Sequence, residues 1–267
     1  GALFSNIVRA NGRTGMGTVM SSKNVKAVAV RGKASVRPHD FDKFDKLIKD
    51  LIYKVKNHNE FPMRIMMGTT HLMHSLNATG QLNTKNNQTG VFEFAEDVSG
   101  EKLHLEYNVK NKGCFGCVIP CNRYFVIKNG AFKGLNAEGP EFESLAGFTS
   151  RIGNGDLDAG LKCIDLCTEY GIDTITTSSA VSFSMECYER GLIDIETTQG
   201  LDLTWGNMDA VIELVHQIGK REKFGDLLAD GILESIKRLG PETEPYRQVW
   251  YGGNSRQAFT YWKRKGC

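Results

Sequence analysis

The 267-residue chain has no run near the about 20 consecutive apolar residues that span a bilayer, so no membrane-crossing helix is expected. It has no basic block longer than Lys263-Arg264-Lys265, and its formal net charge is only +2, so nucleic acid is not an expected partner. No internal repeat or low-complexity segment interrupts it. It lacks a signal-peptide pattern and begins with Gly1 rather than Met, which raises the expectation that the natural start is missing. It also lacks the even, spread-out cysteines of a secreted disulfide framework. The cysteines number seven, and Cys114, Cys117 and Cys121 crowd together, a pattern that suits a metal or cluster site in a reducing compartment. A cytoplasmic protein is expected. The hydrophobic fraction of 40% and charged fraction of 24% are those of a folded globular chain.

Along the chain, residues 15–24 are glycine-rich and polar, and Val25 to Val30 alternates small and β-branched residues as a strand would. Asp40 is placed to cap a helix with Phe41, Phe44, Leu47, Ile48, Leu51 and Val55 on one face. Residues 63–110 read as loop-rich, punctuated by Gly68, Gly80, Gly90 and Gly100. Arg123 to Lys128 reads as a strand, Asn129-Gly130 as a hairpin turn, and Ala131 to Gly134 as the start of the return. Four helices follow. Leu157, Leu161 and Ile164 mark the first. The second runs from about Ser178 to Arg190. Met208 to Ile218 carries the third, and Phe224 to Leu239 the fourth, stopped by Gly240-Pro241.

The strongest local signal is Cys114-x2-Cys117-x3-Cys121. Close cysteines bring several thiolates to one centre with little chain between them. Gly113 and Gly116 remove bulk beside the sulfurs, and Pro120 stiffens the approach to the third. Spacing alone leaves three readings open: an iron–sulfur cluster, a zinc site, or buried thiols without metal. A cluster needs a fourth ligand. Cys163, Cys167 and Cys187 fall on predicted helices and read as core thiols, and Cys267 is the last residue.

Several blocks in order resemble the aldehyde:ferredoxin oxidoreductase family of tungsten-pterin enzymes. They are Arg13-Thr14-Gly15-Met16-Gly17-Thr18 running on to Val28; Gly68-Thr69-Thr70 with Leu76-Asn77, Gly80 and Thr84-Lys85-Asn86; the three cysteines; Gly139-Pro140-Glu141-Phe142-Glu143; and Tyr170-Gly171-Ile172-Asp173-Thr174. The resemblance covers most of residues 5–240. It implies an α+β fragment. Residues 1–36 would be the end of an N-terminal pterin-binding domain, and residues 37–267 a mostly helical, incomplete domain carrying the cysteines.

The resemblance also implies the cofactors: a 4Fe-4S cluster on Cys114, Cys117 and Cys121, and tungsten held by two pterins, with molybdenum a weaker expectation. Arg13, Thr14 and Gly15 would contact a pterin phosphate, as an arginine fork and backbone N–H groups suit that anion. Gly171, Asp173 and Thr174 would bind the other pterin, where a carboxylate can accept from ring N–H donors. The family's Asp-x-x-Gly-x-Asp begins here at Thr168, which replaces the first carboxylate by a hydroxyl. Glu141 or Glu143 would face the metal as a proton-transfer group. His71 and His74 would donate protons to substrate. Glu213 and His216 resemble ligands that bridge subunits in some members, although on this helix a solvated pair is the plainer reading.

The implied function is a low-potential oxidoreductase of an anaerobic cytoplasm. It would convert an aldehyde to a carboxylate, with ferredoxin or another electron-transfer subunit as acceptor, in a homo- or hetero-oligomer. Two alternatives stand beside it. One is the tungsten subunit of a benzoyl-CoA reductase acting on a CoA thioester. The other is a non-catalytic, zinc-binding helical domain.

Overall fold

The computed structural model describes residues 1–5, 9–13, 15–247, 250–251 and 254–255. Thr14 and Cys267 lie outside them. The chain opens with a small antiparallel pair, β1 (Leu3–Ser5) and β2 (Arg9–Asn11), followed by α1 (Met16–Ser22) and α2 (Phe41–Lys56). Short helices α3 (Phe61–Met67) and α4 (Leu72–Ala78) flank a tight 3-10 turn at Gly68–His71. A helical turn, α5 (Gly100–Lys102), widens through Leu103–Tyr107 and leads into β3 (Asn108–Lys112). With β4 (Asn122–Val126) and β5 (Asn136–Glu138) it makes an antiparallel sheet of order β3-β4-β5. The rest is helical: α6 (Phe142–Gly147), α7 (Leu157–Glu169), α8 (Thr174–Glu189), α9 (Met208–Lys220), α10 (Lys223–Ala229) and α11 (Ile232–Leu239). Trp250–Tyr251 and Asn254–Ser255 pair as a last hairpin. The molecule is thus mostly helical with short antiparallel strands, as the α+β expectation has it.

Two cores organise it. Phe148, Cys163, Cys167, Phe183, Cys187 and Leu214 are among the buried residues that hold α7 to α11 together. Met73, Leu103, Phe125, Ile127, Leu145 and Leu161 belong to a second core, which fastens α4 and β4 to α6 and α7. Helix α8 has almost no amphipathic pattern because it runs through the protein interior, with residues Thr177 to Cys187 all buried. Asp173 caps α8, accepting from the Thr176 amide at 2.8 Å. Its preceding helix, α7, ends in a left-handed Gly171 (φ 66°), whose neighbour Ile172 donates back to the Cys167 carbonyl at 2.9 Å.

Several sequence expectations need correction. Val25 to Val30 forms no strand, and Val28 and Val30 are 75% and 90% exposed. A strand is stable only beside a partner, and among the described residues no strand pairs with this one. The glycine-rich, polar stretch before it forms α1. Residues 63–110 hold α3, α4 and α5. These helices are too short for the sequence period to reveal them. The hairpin exists, but its return strand is Asn136–Glu138, because Phe132 and Leu135 turn inward against the second core and lengthen the connection. Helix α8 starts at Thr174, not Ser178, and the fourth expected helix breaks into α10 and α11 at Gly231 (φ 94°).

The Asp40-capped helix is present as read, with Asp40 accepting from the Lys43 amide at 2.9 Å. No residue of α2 is buried. Phe41, Phe44 and Leu47 are at least 46% exposed.

Phe183 is fully buried at the centre of the larger core. Phe183→Ala should cost about 3–5 kcal/mol, read as a fall in thermal midpoint; a loss below about 1 kcal/mol would show that this core does not hold the helices together.

Candidate metal and cofactor site

The three cysteines occupy the nine-residue connection (113–121) between β3 and β4. Pairing of Lys112 with Asn122 closes the loop at its base. Cys114 and Cys117 are exposed and Cys121 is half-buried. The Cys117 amide donates to the Cys114 carbonyl at 3.0 Å, and the Ile119 amide points at the Cys117 sulfur at 3.5 Å. Burial, then the Glu141 carboxylate and then the other two thiols push the Cys121 thiol up from its ordinary value. A largely apolar hollow of about 530 Å³, walled in part by Val55, Phe61 and Ile119, opens beside Cys117 and Cys121.

Behind the loop, β4 places Arg123 on the same face as Phe125, and both, with Ile127 just past the strand, are buried to within 1%. The guanidinium donates from Nη1 to the Cys121 carbonyl at 2.8 Å and from Nη2 to the Pro140 carbonyl at 2.6 Å. Gly68 lies flush against this contact with φ 57°. A Cβ there would collide with the Cys121 carbonyl and with Nη1, so glycine is required for both conformation and space. The next residue, Thr69, donates its hydroxyl to the Glu141 carboxylate and accepts from the Phe142 amide at 2.8 Å.

On the far side of Glu141 lies a second cleft, of about 340 Å³, between the β1–β2 hairpin, α6 and the α7–α8 turn. Arg13, Glu141, Glu143, Thr168, Asp173 and Thr174 all line it. Residues far apart in sequence, drawn from three of the resembling blocks, thus meet at one place. The two carboxylates are held differently. Glu141 is bonded to a hydroxyl, whereas Glu143 lies 3.5 Å from Nη2 of the fully buried Arg151. Burial lowers the Arg151 pKa, and Glu143 opposes that shift. Asp173 has both its capping bond and a 2.7 Å bond from the Thr176 hydroxyl. Thr174 shares a 2.7 Å hydroxyl contact with Ser144.

Other expected site residues lie elsewhere. Gly171 sits behind the cleft, where its carbonyl accepts from the Ala2 amide at 2.7 Å. Gly15 begins α1. His71 closes its own turn through Nδ1 and the Gly68 carbonyl at 2.7 Å, and His74 pairs with Glu96 on the surface at 2.9 Å. Neither histidine lines the cleft. His216 contacts the Tyr170 hydroxyl at 2.8 Å, and Glu213 accepts from Gln217 at 3.0 Å. Arg123 and Arg151 were not among the expected site residues, and Thr69 stood in a resembling block with no role given to it. Arg123 left a signal of its own, as a charge on the inward parity of a strand.

A profile described as "Aldehyde ferredoxin oxidoreductase, domains 2 & 3" matches residues 46–252. The chain belongs to this family. The tungsten-containing aldehyde ferredoxin oxidoreductase of Pyrococcus abyssi is 38% identical over 234 residues, covering 86% of the chain and 38% of the relative. Its counterpart in Pyrococcus furiosus is 36% identical over 241 residues, covering 90% and 39%. The WOR-like subunit of an aliphatic sulfonate oxidoreductase from the same organism is 26% identical, covering 89% and 38%. Among solved structures, the active-site complex BamBC of benzoyl coenzyme A reductase with 1,5-dienoyl-CoA matches with a TM-score of 0.72 and 25% identity, over 89% of the chain and 37% of its own. The chain spans about two fifths of the length of the curated relatives it matches.

The donor set of this aldehyde ferredoxin oxidoreductase homologue fits three corners of an iron–sulfur cluster. Among the described residues no three His, Cys, Asp or Glu side chains converge on one metal ion. A four-iron cluster does not require that convergence, because each thiolate binds a separate iron. Cys163, Cys167 and Cys187 belong to the helical core. Burial pushes Cys163 and Cys187 up to about 12 and Cys167 well above its ordinary value, so these are thiols and not ready ligands. No described helix is long and apolar enough to cross a membrane.

In metal-free protein, brief alkylation at neutral pH should therefore label Cys114 and Cys117 first, Cys121 more slowly, and Cys163, Cys167 and Cys187 only after unfolding. Peptide mass mapping reads the order. Early labelling of Cys163 or Cys167 would contradict the placement of the helical core.

Proposed function

We propose that the full-length protein is a tungsten-pterin oxidoreductase with a 4Fe-4S cluster, oxidising an aldehyde to its carboxylate and passing electrons to ferredoxin or another electron-transfer subunit. One observation carries this reading: Arg13, Asp173, Thr174 and both glutamates line one cleft, whose wall at Glu141 is hydrogen-bonded through Thr69 to the segment backing the cysteine loop. The tungsten relatives named above support the choice of metal over molybdenum. When bound, the pterin-held metal supplies two-electron chemistry and the cluster passes electrons on singly.

The chain's residues have separable tasks in this reading. Arg13 offers a fork of donors to a phosphate, and a carboxylate at Asp173 accepts from a pterin's N–H groups. Aldehyde oxidation takes its oxygen from water and releases two electrons and three protons. Glu141, hydrogen-bonded to the Thr69 hydroxyl and lining the cleft, is placed to take up a proton at its carboxylate. Glu143, beside the Arg151 guanidinium, is the fixed counter-charge. Cys114, Cys117 and Cys121 hold the cluster.

A second reading is supported by the BamBC likeness: the same cleft would serve a reductase of a CoA thioester in a multi-subunit assembly. Assaying the full-length protein with an aldehyde and ferredoxin, and separately with benzoyl-CoA and its dienoyl product, distinguishes the two.

Full-length protein purified without oxygen should contain iron, acid-labile sulfide and tungsten. Zinc alone would overturn the proposal. Cys117→Ser should lose most of the iron. Asp173→Asn keeps a helix cap of equal quality but removes the charge, so it should lose tungsten with little change in stability. Unchanged tungsten there would remove Asp173 from the pterin site.

A further inference from the structure

Arg123 is the one fully buried cation behind the cysteine loop among the described residues, and none of the tasks above uses it. Its guanidinium ties the carbonyl that ends the loop (Cys121) to the carbonyl that precedes Glu141 (Pro140). Its own backbone carbonyl accepts from the Gly139 amide at 2.8 Å, so the same residue grips the 139–141 segment twice. Gly68 closes over the guanidinium, and Thr69 then binds Glu141. Three separate segments therefore meet at one side chain. Only a planar fork can reach both carbonyls at once. A lysine ammonium would satisfy one of them.

We propose that Arg123 is a positioning residue that fixes Cys121 against Glu141 and, through its permanent charge, holds the reduction potential of the cysteine-bound cluster up. The proposal rests on the functional reading above. Reducing a cluster adds negative charge, so a nearby buried cation stabilises the reduced form and a nearby carboxylate destabilises it. Arg123 and Glu141 thus act with opposite signs on the same centre. Water cannot screen either strongly, because the guanidinium is fully buried and Glu141 is partly so.

The test is a potentiometric titration of the cluster's EPR signal in the full-length protein, under anaerobic conditions, with iron content measured alongside. Arg123→Met should shift the midpoint to more negative potential, and Glu141→Gln to more positive potential. Arg123→Lys should return the midpoint towards wild type while retaining less iron, since charge is restored and the fork is not. An Arg123→Met midpoint that does not fall, with iron retained, would overturn the proposal. Should Arg123→Met fail to accumulate, Glu141→Gln and Arg123→Lys carry the test, and a Glu141→Gln midpoint that does not rise overturns it. A wild-type protein with no iron signal would instead overturn the functional reading.

Discussion

A guanidinium buried to 0% exposure, held between the carbonyls of Cys121 and Pro140, is the contact on which the architecture of the site depends. Burying a charge costs several kcal/mol unless it is paired and hydrogen-bonded. Here Glu141 and two carbonyls offset that cost, and burial still lowers the Arg123 pKa while Glu141 opposes the shift. Nε of Arg123 has no hydrogen-bond partner among the described residues, so the compensation is incomplete. A site under such strain persists because the surrounding structure over-determines it: sheet pairing on β4, the flush Gly68 and the Thr69 to Glu141 bond all converge there.

The two cores then place the remaining groups. The larger, helical core sets α7 against α8, and the turn between them carries Asp173 and Thr174 to the rim of the cleft. The smaller core holds α6 under β4, which brings Glu141 and Glu143 to the same rim from the other side. Arg151, rising from the turn after α6, is buried beneath and meets Glu143 together with the Ser178 and Ser179 hydroxyls at 3.2 and 3.4 Å. The β1–β2 hairpin covers the opening, with Gly12 pressed so close to Asp173 that any side chain there would displace the carboxylate. The cleft and the cysteine loop are therefore neighbours separated by one hydrogen-bonded pair, Thr69 and Glu141.

Much of this was legible in the sequence where a pattern had length. Asp40 with its six apolar followers gave α2, and three of the four later helices could be placed from their apolar spacing, although the start of α8 was expected four residues late. The cysteine spacing marked the loop, and the ordered blocks marked the family. What failed to show was anything that depends on a partner. Val25 to Val30 has the alternation of a strand and no described neighbour to pair with. The short helices around Gly68 lack the length to declare a period. The fork of Arg123 and the pairing of Arg151 with Glu143 arise from contacts across the fold, and no local spacing encodes them. Sequence spacing likewise could not show that Glu141 and Glu143 have different partners, a threonine hydroxyl and a buried guanidinium.

The central claim is that one cleft and one cysteine loop, joined at Arg123 and Glu141, hold two different metal centres side by side. Anomalous-scattering crystallography of the anaerobic full-length protein, with data at the tungsten and iron edges, tests this directly. The account predicts a tungsten peak in the cleft lined by Arg13, Glu141 and Asp173, and an iron peak at Cys114, Cys117 and Cys121 on the other side of the Thr69–Glu141 pair. A zinc-edge peak at the cysteines with nothing in the cleft would contradict it.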